Sequence, residues 1–223
     1  MNSKLIKTLY ICCMVKIDQH VAGLLLKSQA VILEPRNPFT WASGWLSPIY
    51  CDNRITLSYP EIRDSIKEAF TTSIMEHFPG PDLIAGVATG AIAHGALVAD
   101  SMHLPFVYVR PSAKGHGRQN LIEGRLSPGQ KVVVVEDLIS TGGSSLKAVE
   151  ALREAGAEVL GMVAIFSYGF ELAADNFIKA GVELHTLTNY HILIETALNS
   201  GAIQQDQVAM LQQWRKDPSQ WRG

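Results

Sequence analysis

Apolar residues recur at helical spacing in two early stretches of the chain. Ile17, Val21, Leu24 and Leu25 predict an amphipathic helix over about 17–29. A second helix, Glu61 to Phe78, opens at Pro60 and carries Ile62, Ile66, Phe70 and Ile74 along one side. Beyond Pro79-Gly-Pro81 the pattern changes to short apolar runs, each followed by a turn and a helical segment. Asp82–Val87 passes through Ala88-Thr89-Gly90 into a helix, and Pro105–Arg110 is a further strand. Val132–Val135 is a β-branched run of the kind buried on both faces in parallel sheets. Helical spacing follows at Leu146, Val149 and Leu152, then strands at 158–166 and 182–187, each preceded by a glycine-bearing helix stop. The region 191–214 reads as two helices. Alternating strands and helices predict an α/β protein with a doubly wound, mostly parallel sheet of five core strands.

The most informative polar positions follow the valine run. Glu136 and Asp137 stand at the carboxyl end of that strand, and Ser140-Thr-Gly-Gly-Ser-Ser145 leads into the next helix. Ligands of open α/β sheets bind beyond the carboxyl ends of the strands. A glycine loop opening a helix offers backbone N–H groups and the positive end of the helix dipole to a phosphate. Adjacent carboxylates accept hydrogen bonds from hydroxyls. The stretch reads as a cradle for a ribose 5-phosphate. A generic strand–turn–helix accounts for much of the same pattern. It is neither a P-loop, lacking Gly-Lys-Ser/Thr, nor the dinucleotide fingerprint G-x-G-x-x-G.

Two further polar stretches carry alternatives. Residues 39–54 are rich in aromatics and turn formers, and fit a plain hairpin with core tryptophans. Arg110 to Asn120 collects Arg110, Lys114, His116 and Arg118 around Gly115 and Gly117. That is either a solvated basic loop or a lid that closes on an anion. Gly90 lets a ligand oxygen approach the backbone closely. His94, among alanines on a helix, reads as structural.

Composition narrows the class. The 223 residues are 47% hydrophobic and 18% charged, enough for a sizeable core. A net charge of −2 argues against general affinity for nucleic acid or membrane, and no run approaches the ~18 apolar residues of a membrane span. Cys12, Cys13 and Cys51 form no C-x-x-C pair, which suits reduced thiols and a cytoplasmic location. Residues 1–13 show no periodicity joined to the rest. They are expected to be an extension, with Met14 as the true start and 14–223 as one domain.

VVVVEDLISTGGS resembles the signature of type I phosphoribosyltransferases, and EDLISTGGSS is most similar to the orotate phosphoribosyltransferases. Phe39-Thr-Trp-Ala-Ser-Gly-Trp-Leu-Ser-Pro-Ile-Tyr50 resembles that family's N-terminal segment. Arg110, Lys114, His116 and Gly117 match its Arg-x-x-x-Lys-x-His-Gly lid. The resemblance runs from about Val21 to Tyr190. It implies the type I phosphoribosyltransferase fold with an N-terminal hood, about 14–58, over the base pocket. It also implies transfer of ribose 5-phosphate from phosphoribosyl pyrophosphate to orotate, giving orotidine 5′-monophosphate in de novo pyrimidine biosynthesis. Lys114, His116 and Asp137 are implied as catalytic. Arg110, Glu136, Leu138, Ile139, Ser140, Thr141, Gly142, Gly143 and Ser144 join them in substrate binding, with Ser140 and Tyr50 as candidates for orotate. Ala88–Gly90 is implied as the pyrophosphate loop. Mg²⁺ would be carried mainly by pyrophosphate and ribose, and no protein metal site is expected. A homodimer with the lid shared across its interface is implied as well.

The match has departures. Ala42 and Pro111 replace lysines found in some relatives, Thr89-Gly90 replaces the Tyr-Lys found in many, and no arginine stands in 166–170. Two other functions remain. A purine phosphoribosyltransferase is opposed by the hood segment and the Lys-Gly-His-Gly of the lid. A non-catalytic sensor of phosphoribosyl pyrophosphate is opposed by the lack of a nucleic-acid-binding segment or basic surplus.

Overall fold

The computed structural model describes residues 17–40, 44–112 and 121–222. The expected extension 1–13, Ala42, and the lid residues Lys114, His116 and Gly117 lie outside the described residues. The chain groups into two compact units. One comprises residues up to Tyr59 together with Thr188–Gly223, and the other runs from Pro60 to Leu187. The hood expected over 14–58 thus shares its unit with the end of the chain.

In the first unit, helix α1 (17–27) buries Val21, Ala22 and Leu25. It stops two residues before its expected end. The Ser28 hydroxyl donates back to the Leu24 carbonyl at 2.8 Å, and Gln29 turns left-handed at φ 58°. Four short strands follow: β1 (Val31–Leu33), β2 (Phe39–Thr40), β3 (Leu46–Ser47) and β4 (Ile49–Cys51). β1 pairs antiparallel with β4, and β2 with β3. Trp45 is 44% exposed, so this tryptophan does not build a core. Helices α6 (Tyr190–Asn199) and α7 (Gln205–Lys216) complete the unit. The Asn189 carboxamide caps α6, accepting from the N–H groups of His191 and Ile192. α7 holds the β2–β3 hairpin: fully buried Trp214 donates its indole N–H to the Leu46 carbonyl at 3.2 Å. The Tyr190 hydroxyl donates to the Leu211 carbonyl at 3.0 Å, and burial holds its pKa above the usual phenol value.

The second unit is the α/β part. Its elements are α2 (Pro60–His77), β5 (Leu83–Val87), α3 (Ala91–Met102), β6 (Phe106–Val109), β7 (Ile122–Glu123), β8 (Lys131–Ile139), α4 (Gly143–Glu154), β9 (Glu158–Ser167) and α5 (Glu171–Ala180). β10 (Leu184–Asn189) straddles the boundary. The sheet order is β10-β9-β8-β5-β6-β7. β5, β6, β8 and β9 run parallel along their shared ladders, and β7 pairs antiparallel with β6. Five of the strands are those expected. The sixth, β7, is two residues long, too short to leave a period in the sequence. Ile62, Ile66, Phe70 and Ile74 of α2 are buried as their spacing predicts. His94 is 2% exposed, in keeping with a structural role.

Candidate active site

β5 and β8 are neighbours in parallel register, with Leu83 opposite Val132 and Gly86 opposite Val135. Their carboxyl ends therefore lie side by side. From β5 the chain passes through α3 to β6, and from β8 through α4 to β9, on the opposite side of the sheet order. This divergence is a topological switch point, where α/β sheets leave a crevice. A cavity of about 290 Å³ occupies it.

One wall of the cavity is the turn Ala88-Thr89-Gly90, whose Ala88–Thr89 peptide is cis. The other wall is Ser140 to Ser145, with Glu136, Asp137 and Leu138 at the base. Gly142 caps α4 in the left-handed conformation, φ 79°. The first helical bond runs from the Leu146 N–H to the Gly142 carbonyl at 2.9 Å. The N–H groups of Gly143, Ser144 and Ser145 thus precede the helical ladder, which is the arrangement that binds a phosphate.

The two carboxylates are not equivalent. Glu136 is 4% exposed. It accepts from the Ser145 hydroxyl at 2.7 Å and from the Asp137 N–H at 2.9 Å. Burial pushes its carboxyl well above the usual carboxylate range, and the charge of Asp137 adds to this. The bonds from Ser145 and from the backbone pull the other way. Asp137 is less buried and lies against Gly90. A β-carbon at position 90 would overlap the Asp137 carboxylate. A side chain at position 90 would therefore require the Asp137 carboxylate to move.

Of the residues expected at the site, Glu136, Asp137, Leu138, Ser140, Thr141, Gly142, Gly143 and Ser144 line this cavity. Ile139 does not. It is fully buried in the apolar core. Arg110 lines a neighbouring cleft of about 450 Å³, which shares Val87, Ala88 and Ser144 with the cavity. Its guanidinium lies 3.5 Å from the Glu123 carboxylate. Tyr50 belongs to the first unit, opposite Ile32 on β4, with its ring 5.7 Å from that of Phe39. Ser145 stands outside the residues expected to bind substrate. Its spacing alone gives no sign that its hydroxyl turns inward to Glu136. Among the described residues no group of three or more His, Cys, Asp and Glu side chains could hold a metal. None of the described helices is long and apolar enough to cross a membrane.

The fold and the crevice define a phosphoribosyltransferase, and residues 57–200 match the phosphoribosyl transferase domain family. Similarity extends well beyond that domain. The orotate phosphoribosyltransferase of Cytophaga hutchinsonii is 59% identical over 204 residues, 92% of this chain and 98% of the relative. That of Porphyromonas gingivalis is 60% identical over 201 residues, 90% of this chain and 96% of the relative. The crystal structure of the Aeropyrum pernix orotate phosphoribosyltransferase superposes with a TM-score of 0.72 at 29% identity, covering 82% of this chain and 99% of that one. The chain belongs to the orotate phosphoribosyltransferase family.

Proposed function

We propose that the chain catalyses the reversible reaction of orotate with phosphoribosyl pyrophosphate, giving orotidine 5′-monophosphate and pyrophosphate. The observation that carries this reading is the switch-point cavity, where carboxylates meet a helix-opening Gly-Ser/Thr loop in a chain of this family. The bond from C1′ to the pyrophosphate oxygen breaks, and a bond from C1′ to orotate N1 forms as N1 gives up its proton. Positive charge builds on the ribose ring as the pyrophosphate leaves. Catalysis then rests on placing the base and stabilising the departing anion.

Each part of the cavity has a role in this scheme. The N–H groups and hydroxyls of Ser140–Ser144 hold the 5′-phosphate. Asp137, the more open carboxylate, takes the ribose hydroxyls, and Glu136 sets the floor through Ser145. The Ala88–Gly90 turn receives the pyrophosphate, and Arg110, Lys114 and His116 neutralise it as it departs. Ser140 is the candidate contact for orotate within the cavity, and Tyr50 stands as a candidate from its motif alone. Mg²⁺ would enter as a hard cation held mainly by oxygens of the pyrophosphate and ribose, and the Asp137 carboxylate is of a chemistry that could join them. When bound, it would supply neutralisation of the pyrophosphate charge. The working form is a cytoplasmic homodimer in which each lid serves the partner's site.

The test is orotate consumption followed by ultraviolet absorbance with Mg²⁺ and phosphoribosyl pyrophosphate, run beside adenine and xanthine. Loss of the orotate signal with neither purine consumed is expected. Turnover of a purine, or binding of phosphoribosyl pyrophosphate without any transfer, would overturn the assignment.

A further inference from the structure

Helix α5 lies outside the cavity, and neither of the site-forming turns belongs to it. Two of its side chains nevertheless reach the phosphate loop. The Asn176 amide donates to the Thr141 carbonyl at 3.0 Å. The next residue, Phe177, is 3% exposed and packs on Gly142, where an added β-carbon would sit 2.7 Å from its ring. α5 is itself anchored: Arg153 of α4 donates to the carbonyls of Ala180 and Gly181 at 2.8 and 3.0 Å. Loop, α4 and α5 thus close a ring of contacts around the phosphate end of the crevice.

The peptide geometry gives these contacts a consequence. In a planar trans peptide the C=O and N–H point in opposite directions. Holding the Thr141 carbonyl on Asn176 therefore turns the Gly142 N–H away from α5. The Phe177 ring meanwhile fixes how deeply the Gly142 backbone can sink. We propose that Asn176 and Phe177 are positioning residues that hold the loop ready for the 5′-phosphate before any ligand arrives. The proposal rests on the reading of Ser140–Ser144 as the 5′-phosphate site. Preorganisation of this sort saves ordering cost on binding and acts on the group bound there. Its effect belongs at the phosphate end and not at the Ala88–Gly90 turn.

Calorimetric binding of ribose 5-phosphate and of pyrophosphate to the full chain, with steady-state kinetics alongside, tests this. Asn176→Ala should weaken ribose 5-phosphate by roughly fivefold, the scale of one net hydrogen bond. The KM for phosphoribosyl pyrophosphate should rise with it, while kcat changes far less and pyrophosphate binding holds. Asn176→Gln, which keeps an amide donor, should recover part of the loss. Phe177→Leu should reproduce the selective loss by a separate contact. Unchanged ribose 5-phosphate affinity in Asn176→Ala overturns the proposal. So does an equal loss of both ligands with a lowered melting temperature, which would mark a merely structural role. If the wild-type chain binds no ribose 5-phosphate, the reading of the loop falls, and the proposal with it.

Discussion

Gly142→Ala places a methyl group where the structure has two separate reasons to exclude one. The first is conformational. Gly142 sits at φ 79°, and an L-residue held in the left-handed region costs about 1–2 kcal/mol. The second is steric. The new carbon would lie 2.7 Å from a ring atom of buried Phe177, and overpacking of a well-filled site costs roughly 1–3 kcal/mol. Together they predict a loss of about 2–5 kcal/mol. At roughly 2–4 °C per kcal/mol for a chain of this size, the melting temperature should fall by about 4–20 °C. Thermal melts by circular dichroism give this directly, and the variant's KM for phosphoribosyl pyrophosphate should rise as the loop shifts. The two causes separate in a double-mutant cycle with Phe177→Leu. The smaller side chain relieves the clash and leaves the backbone term, so the pair should destabilise by less than the sum of the singles. A Gly142→Ala chain with wild-type melting temperature and wild-type KM would refute the reasoning. Strict additivity in the cycle would show that Phe177 does not press on position 142.

Other substitutions probe the remaining parts. Because burial raises the Glu136 pKa, the fold favours its neutral form. That contribution is full below the unfolded pKa, near 4.5, and is lost as pH rises through the higher folded pKa. Urea melts across this range should show wild-type stability declining with pH relative to Glu136→Gln, and parallel curves would rule the raised pKa out. Lys114→Ala should lower turnover by roughly 10²-fold, the scale of one strong electrostatic stabiliser, with little change in orotate binding. Normal turnover in steady-state assays would remove Lys114 from the mechanism. Mixing Lys114→Ala with Asp137→Asn subunits should restore some activity if lids cross the dimer. Failure despite confirmed exchange would put lid and cradle in one subunit. A chain begun at Met14 should fold and keep its activity, and an inactive or insoluble product would make the first thirteen residues structural.

What could be read along the chain was what local spacing determines. Val132–Val135 announces a strand buried on both faces because β-branched runs have few other uses. Ser140–Ser145 announces a helix-opening loop because glycine and hydroxyl residues at that offset leave N–H groups free for an anion. The i, i+4 recurrence from Ile62 to Ile74 placed α2 within one residue of its observed ends. Other features depended on chain segments meeting across long separations. The cavity exists because β5 pairs with β8 across some fifty residues, and no pattern within either strand names its neighbour. Ile139 belongs to the motif by its place in the sequence, but its side chain is buried in the core among residues from other elements. Glu136 and Asp137 are adjacent in sequence and alike in chemistry. Only the packing around them makes one a buried partner of Ser145 and leaves the other against Gly90. Asn176 looks like any polar residue on a helix until α5 packs beside the loop and brings it to the Thr141 carbonyl. Backbone preference and hydrophobic period are written within a few residues, so they survive in a single sequence. Which loops face one another is set by sheet order and helix packing, energies summed over the whole chain and carried by no one stretch of it.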